Sequence, residues 1–216
     1  MNIEETLSLE EQVLQEVSIV MVEHMGKAIG QLLNDEVFVA KQRFIKTDRE
    51  GISWDIPTEE ITVLNTEVVG DIQIQTYILL KEEYKEELCD ALLPDHMKGQ
   101  PDLREGMLLE MDNIAIAAMV TKVANLLQCN IFGHVPSLEV WTVDKQQSVL
   151  EQEHRDSEFM IQVSLGVFKR QMPLSVYVFF RKDIHSILSS FDRTKAVIGD
   201  GRPKKDKNIF QKLFGI

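Results

Sequence analysis

Cysteine is scarce in this sequence. The 216 residues contain two, Cys89 and Cys129, well separated and without a CxxC partner. That excludes a disulfide framework and fits free, buried thiols in a reducing compartment. Positive charge is also short: 23 Lys and Arg stand against 35 Asp and Glu, for a net charge of -12. A nucleic-acid-binding surface over most of the chain is thereby excluded, because phosphate neutralisation needs clustered cations, and the "KRQ" and "RKD" groups are too sparse to supply one. Long apolar runs are missing, the longest being of the order of Ile114 to Val120, far below the roughly twenty residues a spanning helix needs. The N-terminal "MNIEETLSLEEQ" is acidic and has no signal-peptide apolar region, so the expected location is the cytoplasm. No GxGxxG, GxxxxGK[ST] or GxSxG is present, and His24, His96, His134, His154 and His185 show no metal-ligand spacing. Neither a metal nor a covalent nucleophile is therefore expected on this chain.

Helix and strand signals alternate along the chain. A long helix is expected from Ser8 to Asn34, with Ser8 ahead of Glu10 and Glu11 and apolar residues at helical spacing. Strands follow over Glu36 to Ile45, Ile52 to Ile56, Glu60 to Val69 and Gln73 to Leu80, with Val69-Gly70-Asp71 as a hairpin connection. A helix from Glu82 to Leu93 is stopped by Pro94, and "PDHMKGQP" has the composition of a linker. The order then restarts, with a helix over Leu103 to Gln128 and strands over Asn130 to His134 and Leu138 to Val143. "DKQQSVLEQEHRD" reads as a polar connection, followed by strands over Glu158 to Phe168 and Leu174 to Phe180 and a helix from Asp183 to about Phe191.

The halves match in more than order. "EVSIVMVEHMGKAIGQLL" from Glu16 and "EMDNIAIAAMVTKVANLL" from Glu110 begin at Glu and end at Leu-Leu, and "YILLKEE" parallels "YVFFRKD". A repeat of this length implies duplication. The expected fold class is α/β (α+β): two pseudo-symmetric helix–strands–helix repeats, about 8–93 and 103–192, form one antiparallel sheet with the long helices packed on it. Together they make a single domain over 1–197. Residues 198–216, Gly-rich, then basic, then apolar, read as a flexible tail.

Within "MLLEMDNIAIAA", Glu110 and Asn113 are three residues apart and so share a helix face, with Ala117 one turn further on. Leu108, Met111, Ala115, Met119 and Leu126 fall on the opposite side and should be buried. Asn cannot ionise, but it presents a donor and an acceptor in fixed directions, which suits orienting water; a neighbouring carboxylate can grip a partner's Lys or Arg. The same pair is equally compatible with a solvated charge and a packed amide.

The stretch resembles the phosphatase motif of the CheC/CheX/FliY family of chemotaxis proteins, in which Asp or Ser is followed by Glu, then Asn, then Pro at set intervals. Glu110 and Asn113 match, and Pro136 stands at the long spacing, whereas Gly106 occupies the Asp or Ser position. In the first repeat Glu16 is kept, but Ile19 replaces the Asn and Gln42 the Pro, so that site reads as degenerate. The resemblance implies hydrolysis of the aspartyl-phosphate on a CheY-like response regulator. Asn113 would position the attacking water, Glu110 would dock on a regulator lysine, and Mg2+ would be carried by the regulator, so that no cofactor is bound by this chain. The alternative is a non-catalytic adapter of the same fold, binding a response regulator or a CheD-like protein, as monomer or homodimer.

Overall fold

The computed structural model describes residues 8–47, 57–181 and 183–188. Helix α1 (Leu9–Leu33) opens on a capping box: the Glu11 amide donates to Ser8 Oγ and the Ser8 amide to the Glu11 carboxylate. It closes on Asn34 in the left-handed conformation. Strands β1 (Val37–Lys46), β2 (Ile61–Gly70) and β3 (Ile74–Leu80) lead to α2 (Glu82–Leu92). Then come α3 (Pro101–Leu127), β4 (Ile131–Gly133), β5 (Ser137–Trp141), α4 (Val143–Asp156), β6 (Ser157–Val167) and β7 (Met172–Arg181), after which residues 184–188 are helical. The expected short strand Ile52 to Ile56, the end of the last helix and the 198–216 tail lie outside the described residues.

All seven strands join one antiparallel sheet, ordered β1-β6-β7-β3-β2-β4, with β5 also on β2. Each half sends its leading strand across to the other half: β1 pairs β6, while β4 and β5 both pair β2. At the centre β3 pairs β7 with Tyr77 opposite Tyr177, so the two matching "Y" stretches meet at a local two-fold axis. On one face α1 and α3 pack side by side over Leu64, Val68, Ile78, Ile161, Val163, Val176 and Val178. Burial of each such side chain contributes roughly 1.5–3 kcal/mol.

Three expectations are corrected. "DKQQSVLEQEHRD" is a helix, α4, and it lies on the other face of the sheet from α1 and α3, where Leu150 packs with Trp141, Tyr77 and Phe179. The inward stripe is hard to see in sequence because one of its positions is Gln146, fully buried, whose Nε2 donates to the Glu59 carbonyl while Oε1 has no hydrogen-bond partner among the described residues. Val143, expected to end β5, is α4's first residue, with Thr142 as its cap. The "PDHMKGQP" linker is structured: Asp95–Met97 form a 3-10 turn, and Pro101 opens α3 where its missing N–H costs nothing. Arg104 of α3 clamps this stretch, donating to Asp90, Glu86 and the Lys98 carbonyl.

Candidate functional site

Helix α3 is 27 residues long, about 40 Å. Leu108, Met111, Ala115, Met119 and Leu126 are buried, as their spacing requires. Gly106, Glu110, Asn113 and Ala117 are all exposed on the outer face. Among the described residues neither the Glu110 nor the Asn113 side chain has a hydrogen bond or ion pair, so both functional groups are open to a partner. A Cβ at Gly106 would meet nothing within 4 Å, which leaves room there for a longer side chain.

The third motif residue comes from the sheet edge. β4 lies against α3 closely enough that a Cβ on Gly133 would sit 3.5 Å from Ile116 Cγ2. Strand pairing with β2 is then interrupted. Gly133 pairs with Val68 and Ser137 with Asn65, so residues 134–136 oppose only 66–67, one residue in excess. Half-buried Pro136 ends this bulge and cannot donate a backbone hydrogen bond. The preceding residues are exposed and partly apolar, with Val135 at 90% and Phe132 at 60% exposure.

The first half has an excess residue in the corresponding strand, between Val39 and Lys41, but β1 continues through it. Gln42, in place of Pro136, donates from Nε2 to Ser18 Oγ at 2.8 Å. Glu16 is exposed, as is Ile19 at 41%. The position corresponding to Asn113 is therefore on the surface but carries no polar group.

One residue of the α3 motif was not singled out from sequence. Asp112, between Met111 and Asn113, is fully buried. Its Oδ2 accepts the Thr66 hydroxyl at 2.5 Å, and Oδ1 has no hydrogen-bond partner among the described residues. Burial pushes its carboxyl up to about 6, against the opposing pull of the Thr66 hydrogen bond. The signal was available: Asp112 lies on the stripe of Leu108, Ala115, Ile116 and Met119, where a carboxylate is out of place.

A cleft of about 540 Å³ opens at the far end of α3, lined by residues including Asn125, Gln128, Cys129 and Phe132. Asn125 is about 18 Å along the helix from Asn113, so this cleft does not contain the motif face. Among the described residues no group of three or more His, Cys, Asp or Glu is placed to hold a metal, and no helix is long and apolar enough to cross a membrane. Cys89 and Cys129 are buried and unpaired, and burial raises both thiols above their usual range.

Helix pair, two-fold sheet and edge bulge together define a known architecture. The chain is similar to Thermotoga maritima FliY at 12% identity and TM-score 0.62, over 88% of this chain and 99% of that one. It has the CheC/CheX/FliY fold. Chemotaxis protein CheX from Vibrio vulnificus aligns at 13% identity and TM-score 0.56, over 77% of this chain and 99% of that one. The FliM middle domain from Helicobacter pylori aligns at 11% and 0.52, over 85% and 99%. No protein-family model matches the sequence, and no curated protein matches it. The likeness lies in the CheC/CheX/FliY fold, in which α3 is one of the paired long helices.

Proposed function

We propose that this protein is a phosphatase for the aspartyl-phosphate of a CheY-like response regulator, with α3 as the docking and catalytic helix. The observation that carries the reading is the outward, unpartnered pairing of Glu110 and Asn113 on α3 within a FliY- and CheX-like fold. Glu110 accepts from a lysine of the regulator and fixes the helix against it. The Asn113 amide then enters the regulator's site and holds a water in line with the phosphorus, accepting from the water through its carbonyl oxygen. Ala117, one turn on, lets the partner's backbone approach. The acyl phosphate and its Mg2+ belong to the regulator, and this chain supplies position rather than a nucleophile. Pro136 keeps the neighbouring strand from extending across the site.

A second reading, a non-catalytic adapter for a response regulator or a CheD-like protein, draws on Gly106, which leaves the first motif position without a side chain. Phosphate release from regulators labelled with radioactive acetyl phosphate separates the two. On the phosphatase reading the wild type shortens the phosphate lifetime of its regulator, and Asn113→Ala abolishes the effect while still binding. A regulator that binds wild type with no change in phosphate lifetime would sink it in favour of the adapter.

A further inference from the structure

We propose that Asp112 is a positioning residue of the motif helix: held by the Thr66 hydroxyl, its buried carboxylate sets the rotation of α3 that turns Glu110 and Asn113 toward the partner. The inference rests on the reading of Asn113 as the water-orienting group.

The inner side of α3 is built from Leu108, Met111, Ala115, Ile116 and Met119. Apolar burial is non-directional, and a helix rich in alanine offers few ridges to fix its rotation. The hydrogen bond from Thr66 Oγ1 on β2 to Asp112 Oδ2, 2.5 Å long and wholly inside the protein, is directional. It acts on the residue next to Asn113, so the two side chains leave the helix about 100° apart and turn together. A rotation of about 20° at a side-chain radius of about 5–6 Å carries the Asn113 amide some 2 Å. Misplacement by about 1 Å is enough to cost on the order of a hundredfold in a reaction that depends on position.

The duplicated half supplies an independent observation. Ser18 occupies in α1 the place of Asp112 in α3, is equally buried, and is also tied to a strand, accepting from Gln42 Nε2. Each long helix thus carries one polar pin just before the motif's Asn position. In the first half the donor sits where the second half has Pro136, a residue with no side-chain donor. The pin of α3 therefore comes from a different strand, β2, and the shorter reach of the Thr66 hydroxyl is met by the longer Asp side chain. The unpartnered Oδ1 makes this arrangement costly as a stabilising device, since a buried half-satisfied carboxylate is worse than an apolar side chain of similar size.

The test uses the full chain and a CheY-like regulator phosphorylated with acetyl phosphate, with kcat and KM measured separately. Thr66→Val, which keeps shape and loses the hydroxyl, is expected to lower kcat about tenfold or more and, because Glu110 turns with Asn113, to raise KM as well. Thr66→Ser and Asp112→Asn, which keep a hydroxyl donor and an oxygen acceptor, are expected to retain most of it. Tyr77→Phe removes a hydroxyl that donates to Glu153 on the opposite face and should have no effect. A folded Thr66→Val with wild-type kcat, or an Asp112→Asn as impaired as Thr66→Val, overturns the proposal. Asn113→Ala, run alongside, tests the phosphatase reading itself. Should it hydrolyse at the wild-type rate, that reading falls, and the pin is judged by the Asn113 side-chain amide signals in ¹H–¹⁵N spectra. A shift of those signals in Thr66→Val but not in Thr66→Ser supports the pin, and unchanged signals overturn it.

Discussion

Asp112 also links the fold to pH. An unfolded Asp titrates near 3.9, whereas burial lifts Asp112 in the native protein to about 6. That separation of about two units corresponds to roughly 3 kcal/mol. The sign follows from proton binding. Between about pH 4 and 6 the native carboxyl holds a proton that the unfolded one has released, so stability falls as pH rises through this window. By pH 7 both states are ionised and the full cost of burying the charge is in place. Lowering the pH from 7 to 4.5 should return about 2 kcal/mol from this residue. Other carboxylates work the opposite way: Glu11, through its hydrogen bonds with Ser8, and Glu139, through its hydrogen bonds to Lys145 and Trp141, are held below their usual range and lose stabilisation on acidification. Asp112→Asn separates the contributions. The amide still offers an acceptor to Thr66 but does not titrate, so subtracting its unfolding free energy from that of wild type cancels the other groups. Urea unfolding of both proteins at intervals from pH 7 to 4.5 should show the difference moving toward wild type by about 2 kcal/mol, with most of the change below pH 6. A difference that stays flat, or that moves toward the variant, would refute the assignment of a buried, charge-destabilised carboxylate.

Two further outcomes follow from backbone geometry. Gly106→Ala, in the exposed interior of α3 where a Cβ meets nothing, should stabilise the protein by about 0.5–1 kcal/mol and raise Tm by a few degrees in a thermal melt. Gly70→Ala should destabilise by about 3 kcal/mol or abolish folding, because Gly70 has φ +130° and a Cβ there would lie 2.1 Å from the Asn130 carbonyl oxygen; a wild-type urea midpoint would contradict the hairpin geometry.

What could be read from the sequence was what repeats. Two helices with the same Glu-to-Leu-Leu frame, and two matching strand ends that run from Tyr77 and Tyr177 into a helix start, carried enough periodicity to specify paired helices on a shared sheet, and the meeting of those tyrosines at the centre is the geometric form of that repetition. The Ser8 cap and the stop at Pro94 were legible because capping and proline chemistry are local. The α4 helix was not, since its inward side includes Gln146 and its placement depends on the distant Glu59 carbonyl and the Trp141 side chain. Asp112 shows the same limit more sharply. Local spacing marks it as an anomaly on an apolar stripe, but its partner Thr66 is 46 positions away and belongs to the other half.

The contrast between the halves bears on how each long helix is held beside its motif turn. Losing an Asn to Ile19 would by itself leave the α1 face shaped as before. But β1 also runs on past its extra residue, and Gln42 reaches from it to Ser18 immediately beside Ile19. On α3 the equivalent strand gives way to the 134–136 bulge ending at Pro136, and the helix is pinned from beneath by Thr66 instead. The two differences belong together: in the first half a side-chain anchor from the edge strand β1 holds the helix at Ser18, whereas in the second half an anchor from the interior strand β2 holds it at Asp112. Pro136 thus does more than keep a spacing. By removing the edge donor, it requires a buried acceptor on the helix, and Asp112 meets that requirement at the cost of an unpartnered oxygen. On this argument the proline, the buried acid and the exposed amide form one unit, and only the second half has all three.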